Sequence, residues 1–243
     1  MQRQAVLFDL GWTLVVPRSG DWMLTPLFEQ TFPAWREAIS PTEMERAQQR
    51  PAAYLAENHR LTTLTQEVAQ ITRWYELLGE ALPALGMTHA KAAALAEDHT
   101  YNVAGNYTLL PGVREMLESL ARQGYALGVI SDTWPSVELQ LPAYGIDHLL
   151  DARTFSFALG AFKPDASLYR DALEQLGLPG DACWFVDDRP CNLVGAEQAG
   201  MRGVQSLVEP GARADGRFPA IKAPTELPDL LAGKPATDAW AAY

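Results

Sequence analysis

The sequence predicts an α/β fold in which a doubly wound parallel sheet is interrupted, near its start, by an all-helical block. Two observations support this prediction. Along the second half of the chain, short apolar runs alternate with helical patterns, which is typical of a parallel sheet covered by helices on both faces. An apolar run also stands near the N-terminus, and the residues that follow it show helical periodicity without a convincing strand.

The first strand is predicted at Ala5–Phe8, four apolar residues that end at Asp9. Apolar residues then recur at helical spacing from Leu27 to Ile39, and further helices are indicated from Pro41, over 65–85 and over 88–101. We therefore expect residues 17–104 to form a helical domain, and residues 1–16 and 105–243 to form the sheet core around it.

From residue 111 onward, strands and helices alternate. The helices are predicted at 112–123, after residue 135, at 164–176 and at 192–199; the strands are predicted at 125–130, near 149–152, at 182–186 and at 203–206. The segment after Glu209 is rich in proline, alanine and glycine. We expect it to cross the protein surface and its last residues to be disordered.

The composition and charge of the chain argue against some classes of function. The net charge of −11 argues against a nucleic-acid or membrane-surface binder, which would need a basic face. The two cysteines, Cys183 and Cys191, have no paired spacing, which favours a reducing compartment. The N-terminal apolar run is interrupted by Asp9 and lacks the flanks of a signal peptide. We expect a soluble cytoplasmic protein that binds neither nucleic acid nor membranes.

Polar residues follow three of the predicted strands. Asp9 follows the first, Ser131 and Asp132 follow the strand at 125–130, and Asp187 and Asp188 follow the strand at 182–186. Because ligands bind beyond the carboxyl ends of the strands in an open parallel sheet, these residues predict one site.

The chemistry of these residues favours a cation and a phosphate. Clustered carboxylates repel one another unless a cation is shared between them, and oxygen ligands suit Mg²⁺. Asp9 could act as a covalent nucleophile, while Lys163 offers a positive charge and Ser131 a hydroxyl group.

These residues fall into four ordered motifs that resemble those of the haloacid dehalogenase superfamily. The first is Phe8-Asp-Leu-Gly-Trp-Thr-Leu14 and the second is Val129-Ile-Ser-Asp132. The third is Lys163-Pro-Asp165 and the fourth is Val186-Asp-Asp-Arg-Pro-Cys-Asn192. The resemblance spans roughly residues 5 to 230. It implies a Rossmann-like core with an inserted helical cap that closes over the site and selects the substrate.

The resemblance also implies roles for individual residues. Asp9 is expected to be the nucleophile, with Ser131 and Lys163 holding the phosphoryl group. Asp188 is expected to bind Mg²⁺ together with Asp9 and the Gly11 carbonyl. Asn192 falls where many members of the family carry another acidic residue. Apart from the resemblance, Asp187 is expected as a further metal ligand, and Asp132, Trp12 and Arg18 are expected to contact substrate because of their positions in the sequence.

One departure from the family pattern leaves the activity open. Most phosphatases of this superfamily carry a second Asp two residues after the nucleophile, where this chain has Gly11. That Asp protonates the leaving group, a contribution of roughly 10²–10⁴-fold. The leading hypothesis is a magnesium-dependent phosphatase that acts on a small phosphorylated metabolite. Without the second Asp, it is expected to be slow, to use a substrate with a good leaving group, or to take its acid from another residue. The alternatives are a metal-independent 2-haloacid dehalogenase, which also lacks the second Asp, and a non-catalytic phosphate-ester binder.

Two further tryptophans and the four histidines are interpreted as structural residues and not as parts of a ligand site. Trp35 and Trp74 fit the apolar faces of helices better than a ligand site. The four histidines have no metal-ligand spacing, and we expect them at the surface. They are His59, His89, His99 and His148.

Overall fold

The computed structural model describes residues 3–233 and contains the predicted parallel sheet. Six strands form it in the order β5-β4-β1-β6-β7-β8, and each neighbouring pair is parallel. Two more strands, β2 and β3, form a separate antiparallel pair. The strands are β1 (Ala5–Phe8), β2 (Val15–Pro17), β3 (Tyr107–Leu109), β4 (Ala126–Ser131), β5 (Ala152–Phe155), β6 (Cys183–Asp187), β7 (Arg202–Ser206) and β8 (Ala220–Ile221).

Helices cover both faces of this sheet and form the block that follows β2. The helices are α1 (Pro26–Thr31), α2 (Trp35–Ala38), α3 (Pro41–Glu57), α4 (Leu64–Ala81), α5 (His89–Tyr101), α6 (Val103–Asn106), α7 (Val113–Arg122), α8 (Val137–Tyr144), α9 (Ser156–Leu159), α10 (Ala166–Leu176), α11 (Pro190–Gln198) and α12 (Leu227–Leu231). Among the described residues, no helix is both long enough and apolar enough to cross a bilayer.

The strand β1 lies in the middle of the sheet, and its alternate side chains enter two separate apolar clusters. Val6 and Phe8 pack with residues of α7 and α8, whereas Ala5 and Leu7 pack with residues of α10 and α11. All four side chains are buried. The continuous apolar run in the sequence is therefore explained by a strand that is covered on both faces.

Residues 18–106, which we call the helical insert, have an apolar core of their own. The antiparallel pair of β2 and β3 connects this insert to the sheet. The helix expected from Leu27 to Ile39 is instead two short helices, α1 and α2. The break falls at Pro33, which lacks a backbone N–H and disfavours helical geometry at the residue before it.

Two other expectations need correction. The strand expected near 149–152 lies at Ala152–Phe155, because residues 147–149 form a turn of 3₁₀-helix. The segment after Glu209 does not merely cross the surface: Ile221 adds to the sheet in β8, and Leu227 is fully buried. The disorder expected for the last residues concerns positions outside the described range.

Candidate active site

The polar residues at the ends of β1, β4 and β6 meet at one edge of the sheet. β1 lies between the other two strands and pairs with both in parallel register. Asp9 directly follows β1, Ser131 ends β4 and Asp187 ends β6, with Asp132 and Asp188 one residue beyond. The fold therefore brings together residues that are more than 170 positions apart in the chain.

The ammonium group of Lys163 lies between two of these carboxylates. Its Nζ donates to Asp9 Oδ1 at 2.6 Å and to Asp187 Oδ2 at 2.7 Å. Burial disfavours the charge on Lys163, but the carboxylates of Asp187 and Asp9 outweigh it and hold the pKa of the ammonium above its ordinary value. Lys163 is therefore a buried positive charge that touches the predicted nucleophile.

The carboxylate of Asp187 is held by several donors. Its Oδ1 accepts from the backbone N–H of Arg189 at 2.8 Å and from Asn192 Nδ2 at 3.0 Å. The backbone carbonyl of Asn192 in turn accepts from the Tyr169 hydroxyl at 2.7 Å. Asn192, the last residue of the fourth motif, therefore orients Asp187, and Asp187 orients Lys163.

Three carboxylates form a group that fits a divalent cation. Asp9, Asp187 and Asp188 each offer an oxygen, and these atoms lie within 4.8 Å of one another. Burial raises the pKa of Asp9 to about 7 and the pKa of Asp188 to about 6; Asp187 adds to both shifts and Lys163 opposes them. One ammonium does not balance three carboxylates, and hard oxygen donors of this kind suit Mg²⁺.

Ser131 and Asp132 both line a cavity at this edge of the sheet. Ser131 is buried, in keeping with its place at the end of β4. Asp132 Oδ1 accepts from the backbone N–H of Lys163 at 3.0 Å, so this side chain also holds the loop that carries the lysine. Burial raises the pKa of Asp132, while Lys163 lowers it. Direct contact of either residue with substrate stays a prediction.

Gly11 and Trp12 form a tight turn directly after Asp9. The backbone N–H of Trp12 donates to the carbonyl of Val15 at 2.9 Å, and Trp12 has a positive φ of 51°. The ring of Trp22 lies beside this turn, in an edge-to-face arrangement with Trp12 at 6.0 Å between centroids. The space next to Gly11 is therefore occupied by an aromatic side chain of the insert.

These residues lie in a cavity of about 580 Å³ whose walls come from both the sheet core and the helical insert. Its volume is in the range of small-molecule sites. The core contributes Trp12 and the polar residues described above, except Asp187 and Tyr169, which lie behind the cavity wall. The insert contributes mainly aromatic and apolar side chains, which include Trp22, Met23, Ala52, Leu55, Trp74 and His99.

Arg18, expected to contact substrate, is not among the residues that line this cavity. Its Nε donates to the carbonyl of Ala104 at 2.9 Å, and its backbone N–H donates to the carbonyl of Asn106 at 2.8 Å. The side chain therefore ties together the two chain segments that enter and leave the insert. The expectation that Arg18 contacts substrate is therefore not supported, because its side chain is bonded to the end of the insert instead.

Side chains of the helix α4 hold the insert against the loop that follows β4. Trp134 Nε1 donates to Gln70 Oε1 at 2.9 Å. The backbone N–H of Ser136 donates to Glu67 Oε2 at 2.7 Å. Glu67 is fully buried, and burial raises its pKa to about 7. The insert is therefore attached to the loop that directly follows Ser131.

The surface prediction is wrong for two histidines. His59 is buried, and its Nε2 lies 2.6 Å from the Ser156 hydroxyl, so it closes a contact between the insert and the core. His99 is buried in the cavity wall. His89 and His148 are exposed, as expected. Trp35 and Trp74 are both buried in the core of the insert, as expected, but Trp74 also lines the cavity.

Sequence reasoning missed Glu67 and His99, although a signal exists for each. Glu67 is in phase with the buried Ile71 and Trp74 on α4, and His99 is in phase with the buried Leu95 on α5. When the apolar face of a helix packs against its neighbours, a titratable residue on that face is removed from water. Such a residue calls for a polar partner or a ligand.

Comparison with known proteins gives a consistent family relationship. A family model described as haloacid dehalogenase-like hydrolase matches residues 4–200. Phosphoserine phosphatase of Thermus thermophilus is 31% identical over 156 residues, which is 63% of this chain and 59% of that protein. (S)-2-haloacid dehalogenase 4A of Burkholderia cepacia is 28% identical over 139 residues, which is 56% of this chain and 60% of that protein. The chain thus spans about three fifths of the length of these relatives.

Solved structures agree on the fold. L-2-haloacid dehalogenase from Xanthobacter autotrophicus aligns with a TM-score of 0.68 at 21% sequence identity. The alignment covers 96% of this chain and 99% of that one. At this level of identity, the likeness concerns the fold alone.

Proposed function

The chain belongs to the haloacid dehalogenase-like hydrolases, since the family model matches residues 4–200, and from this membership we propose that it is a magnesium-dependent phosphatase. Its substrate would be a small phosphorylated metabolite, as the names of relatives such as phosphoserine phosphatase and phosphoglycolate phosphatase suggest. The helical insert would serve as the cap of this enzyme, and the protein would act in the cytoplasm.

The grouping of Asp9, Asp187 and Asp188 around Lys163 carries this proposal. A phosphate dianion is repelled by three carboxylates unless a cation lies among them. The chemistry of a 2-haloacid needs no metal. A site that gathers more carboxylates than its lysine can balance therefore favours a phosphate ester over a haloacid.

In the proposed reaction, an Asp9 oxygen attacks phosphorus in line with the leaving oxygen. The new O–P bond forms as the ester O–P bond breaks, which gives an aspartyl phosphate and the free alcohol or its anion. Water then attacks that phosphorus, the aspartyl O–P bond breaks, and inorganic phosphate leaves as the Asp9 carboxylate is restored. Lys163 and Ser131 stabilise the equatorial oxygens. Mg²⁺, held by Asp9, Asp188 and the Gly11 carbonyl with Asp187 nearby, would neutralise charge on the phosphoryl group.

A 2-haloacid dehalogenase is the second candidate, and Gly11 favours it. In that reaction, Asp9 would displace the halide from carbon, and water would hydrolyse the resulting ester without a metal. The relatives include a haloacid dehalogenase as well as phosphatases. The aromatic cavity wall is also compatible with a small organic acid.

One set of assays separates the candidates. The purified protein is offered phosphorylated metabolites and, separately, 2-chloropropionate, with Mg²⁺ or with a chelator, and the Asp9→Asn variant is the control. We expect phosphate release that needs both Mg²⁺ and Asp9. Halide release that survives the chelator would establish the dehalogenase instead. Tight binding of phosphate esters without turnover, unchanged in Asp9→Asn, would indicate a non-catalytic binder.

A further inference from the structure

The leaving oxygen of the proposed reaction needs a proton that position 11 does not supply. Gly11 has no side chain, and the Trp22 ring occupies the space beside it. When Asp9 attacks in line, the leaving oxygen points away from Asp9 into the cavity, so its proton donor must line the cavity. The described residues that line the cavity and carry a titratable side chain are Asp9, Asp21, His99, Tyr107, Asp132, Lys163, Asp188, Arg189 and Glu209.

Most of these groups are unsuited to donate a proton to the leaving oxygen. Asp9 is the proposed nucleophile, and Asp188 is a proposed metal ligand. Two carboxylates hold the pKa of the Lys163 ammonium above its ordinary value, and an arginine does not lose its proton in a protein. Burial likewise raises the pKa of the Tyr107 hydroxyl well above its ordinary value, and both ring nitrogens of His99 are buried. Three carboxyl groups remain.

Of these three carboxyl groups, that of Asp132 is the one at the strand ends. Asp132 directly follows Ser131 at the end of β4, the strand that pairs with β1. Asp21 belongs to the insert, where its Oδ1 accepts from two backbone N–H groups at 2.8 Å and 2.9 Å. Glu209 is exposed and lies three residues beyond the end of β7. Position in the fold therefore favours Asp132 as the proton donor.

One oxygen of Asp132 is anchored, and the other is not. Oδ1 accepts from the backbone N–H of Lys163 at 3.0 Å, which fixes the carboxyl group beside the loop that carries the ammonium. Oδ2 has no hydrogen-bond partner within residues 3–233. The side chain is half-buried and lines the cavity. Asp132 therefore has a fixed position and a second oxygen that is left for a ligand.

The surroundings of Asp132 favour its protonated form. Burial raises the pKa of its carboxyl group, and the charge of Asp187 adds to this shift. The other charged groups that face it, Lys163 and Arg189, lower its pKa, but the pKa stays above its ordinary value. A raised pKa suits a proton donor, which is most effective when its pKa lies near the working pH.

We propose that Asp132 is the general acid and base of this phosphatase, in place of the carboxyl group missing at position 11. This inference rests on the proposed function and adds a catalytic residue to it. In the first step, the Asp132 proton passes to the leaving oxygen as the ester O–P bond breaks, so a neutral alcohol leaves and Asp132 becomes a carboxylate. In the second step, this carboxylate takes a proton from the attacking water as the Asp9 O–P bond breaks. Inorganic phosphate leaves, and Asp132 is protonated again.

The test compares an ester whose leaving oxygen needs a proton with one whose leaving oxygen does not. Glycerol phosphate releases an alkoxide unless it is protonated, whereas 4-nitrophenyl phosphate releases a stable phenolate. With Mg²⁺ present, Asp132→Asn should lower kcat/KM about 10²-fold for glycerol phosphate and about threefold or less for 4-nitrophenyl phosphate. Asparagine keeps an acceptor for the Lys163 N–H, and the ratio of the two kcat/KM values cancels any loss of folded enzyme.

Asp21→Asn and Glu209→Gln are the matched controls, because each removes a carboxyl group from the wall of the same cavity. Neither should change the ratio of the two kcat/KM values. A ratio that changes in one of these variants and not in Asp132→Asn would assign the proton to another residue and overturn the inference. Equal losses on both esters in Asp132→Asn would also overturn it, because Asp132 would then only hold the loop of Lys163.

The wild-type protein separates failure of the inference from failure of the proposed function, and it needs no folded variant. Its kcat/KM values for phenyl phosphate and 4-nitrophenyl phosphate should agree within about tenfold, because a proton on the leaving oxygen reduces the influence of its basicity. Hydrolysis of 4-nitrophenyl phosphate alone would overturn the role of Asp132 and leave the phosphatase function intact. Absence of phosphate release from every ester in the presence of Mg²⁺ would contradict the proposed function itself.

Discussion

The indole ring of Trp22 lies 3.1 Å from the position that a Cβ atom on Gly11 would occupy. The same ring stacks on Tyr107, with 5.6 Å between centroids, so it is held from the other side as well. A glycine at position 11 therefore means more than a missing carboxylate. The Trp22 ring of the insert occupies space that a side chain at this position would need. Any attempt to restore an acid at this position must account for Trp22.

This contact predicts that Gly11→Asp alone gives no gain in activity. The new side chain must displace the Trp22 ring, and overpacking of this kind costs about 1–3 kcal/mol of stability. The double variant Gly11→Asp with Trp22→Ala should have room for the acid and should hydrolyse glycerol phosphate at least about tenfold faster than Trp22→Ala alone. The check is to measure initial rates and thermal midpoints of the wild type, the two single variants and the double variant. A faster Gly11→Asp single variant would show that the ring moves easily.

Asp9→Asn should abolish turnover with little change in the fold. The amide keeps the shape of the side chain but is a poor nucleophile, so we expect kcat to fall by about 10³-fold or more. Asp147→Asn, at a half-buried turn outside the cavity, is the matched control and should keep full activity. The measurement is steady-state phosphate release, supported by mass spectrometry for the acyl phosphate. Residual activity near the wild-type level would remove Asp9 from the mechanism.

The sheet and its polar edge could be predicted because both follow from local patterns. Apolar runs locate β1, β4 and β6, and parallel pairing then requires that Asp9 and Asp187 meet. The aromatic wall could not be predicted in this way. It depends on how the insert packs on the core, and no local pattern records that Trp22 faces Gly11. Arg18 shows the same limit, since it is near Asp9 in sequence but does not line the cavity.

Lys163→Met should destabilise the protein far more than the loss of an exposed lysine. The ammonium is the positive charge bonded to both Asp9 and Asp187, and removing one partner of a buried ion pair costs about 3–5 kcal/mol. Lys91→Met, on the surface of α5, should cost little. Urea unfolding of both variants at pH 7.5 measures the difference. Equal losses would show that the buried carboxylates are readily hydrated or protonated.

Magnesium should stabilise the folded protein through Asp188. A ligand present at 100 times its Kd adds about 2.7 kcal/mol to the free energy of unfolding. We expect a rise in the thermal midpoint on addition of Mg²⁺, its reversal by chelator, and its loss in Asp188→Asn. Asp165→Asn, which changes a helix N-cap outside the cavity, should retain the metal response. A thermal midpoint that does not change on addition of Mg²⁺ would favour the metal-independent dehalogenase.

Glu67→Gln should stabilise the protein increasingly as pH rises from about 4.5 to about 7. Burial raises the pKa of the folded-state carboxyl from 4.5 to about 7. In this window the folded state binds the proton more tightly than the unfolded state, so wild-type stability falls with rising pH by at most about 3 kcal/mol. Glutamine still accepts the hydrogen bond from Ser136 and has no charge to lose. The gain should therefore be absent below pH 4.5 and constant above pH 7.

The matched control for this prediction is Glu76→Gln on the same helix. Hydrogen bonds from His89 and Arg73 lower the pKa of Glu76, so its removal should have the opposite sign and reduce stability at neutral pH. Urea unfolding of the three proteins between pH 4 and pH 8 gives the comparison. His59 and His99 also change protonation when the chain unfolds at acidic pH, but they are present in all three proteins, so the differences isolate each glutamate. A Glu67→Gln difference that does not change with pH would mean that the carboxyl of Glu67 has the same pKa in the folded and unfolded states, so that burial does not raise it.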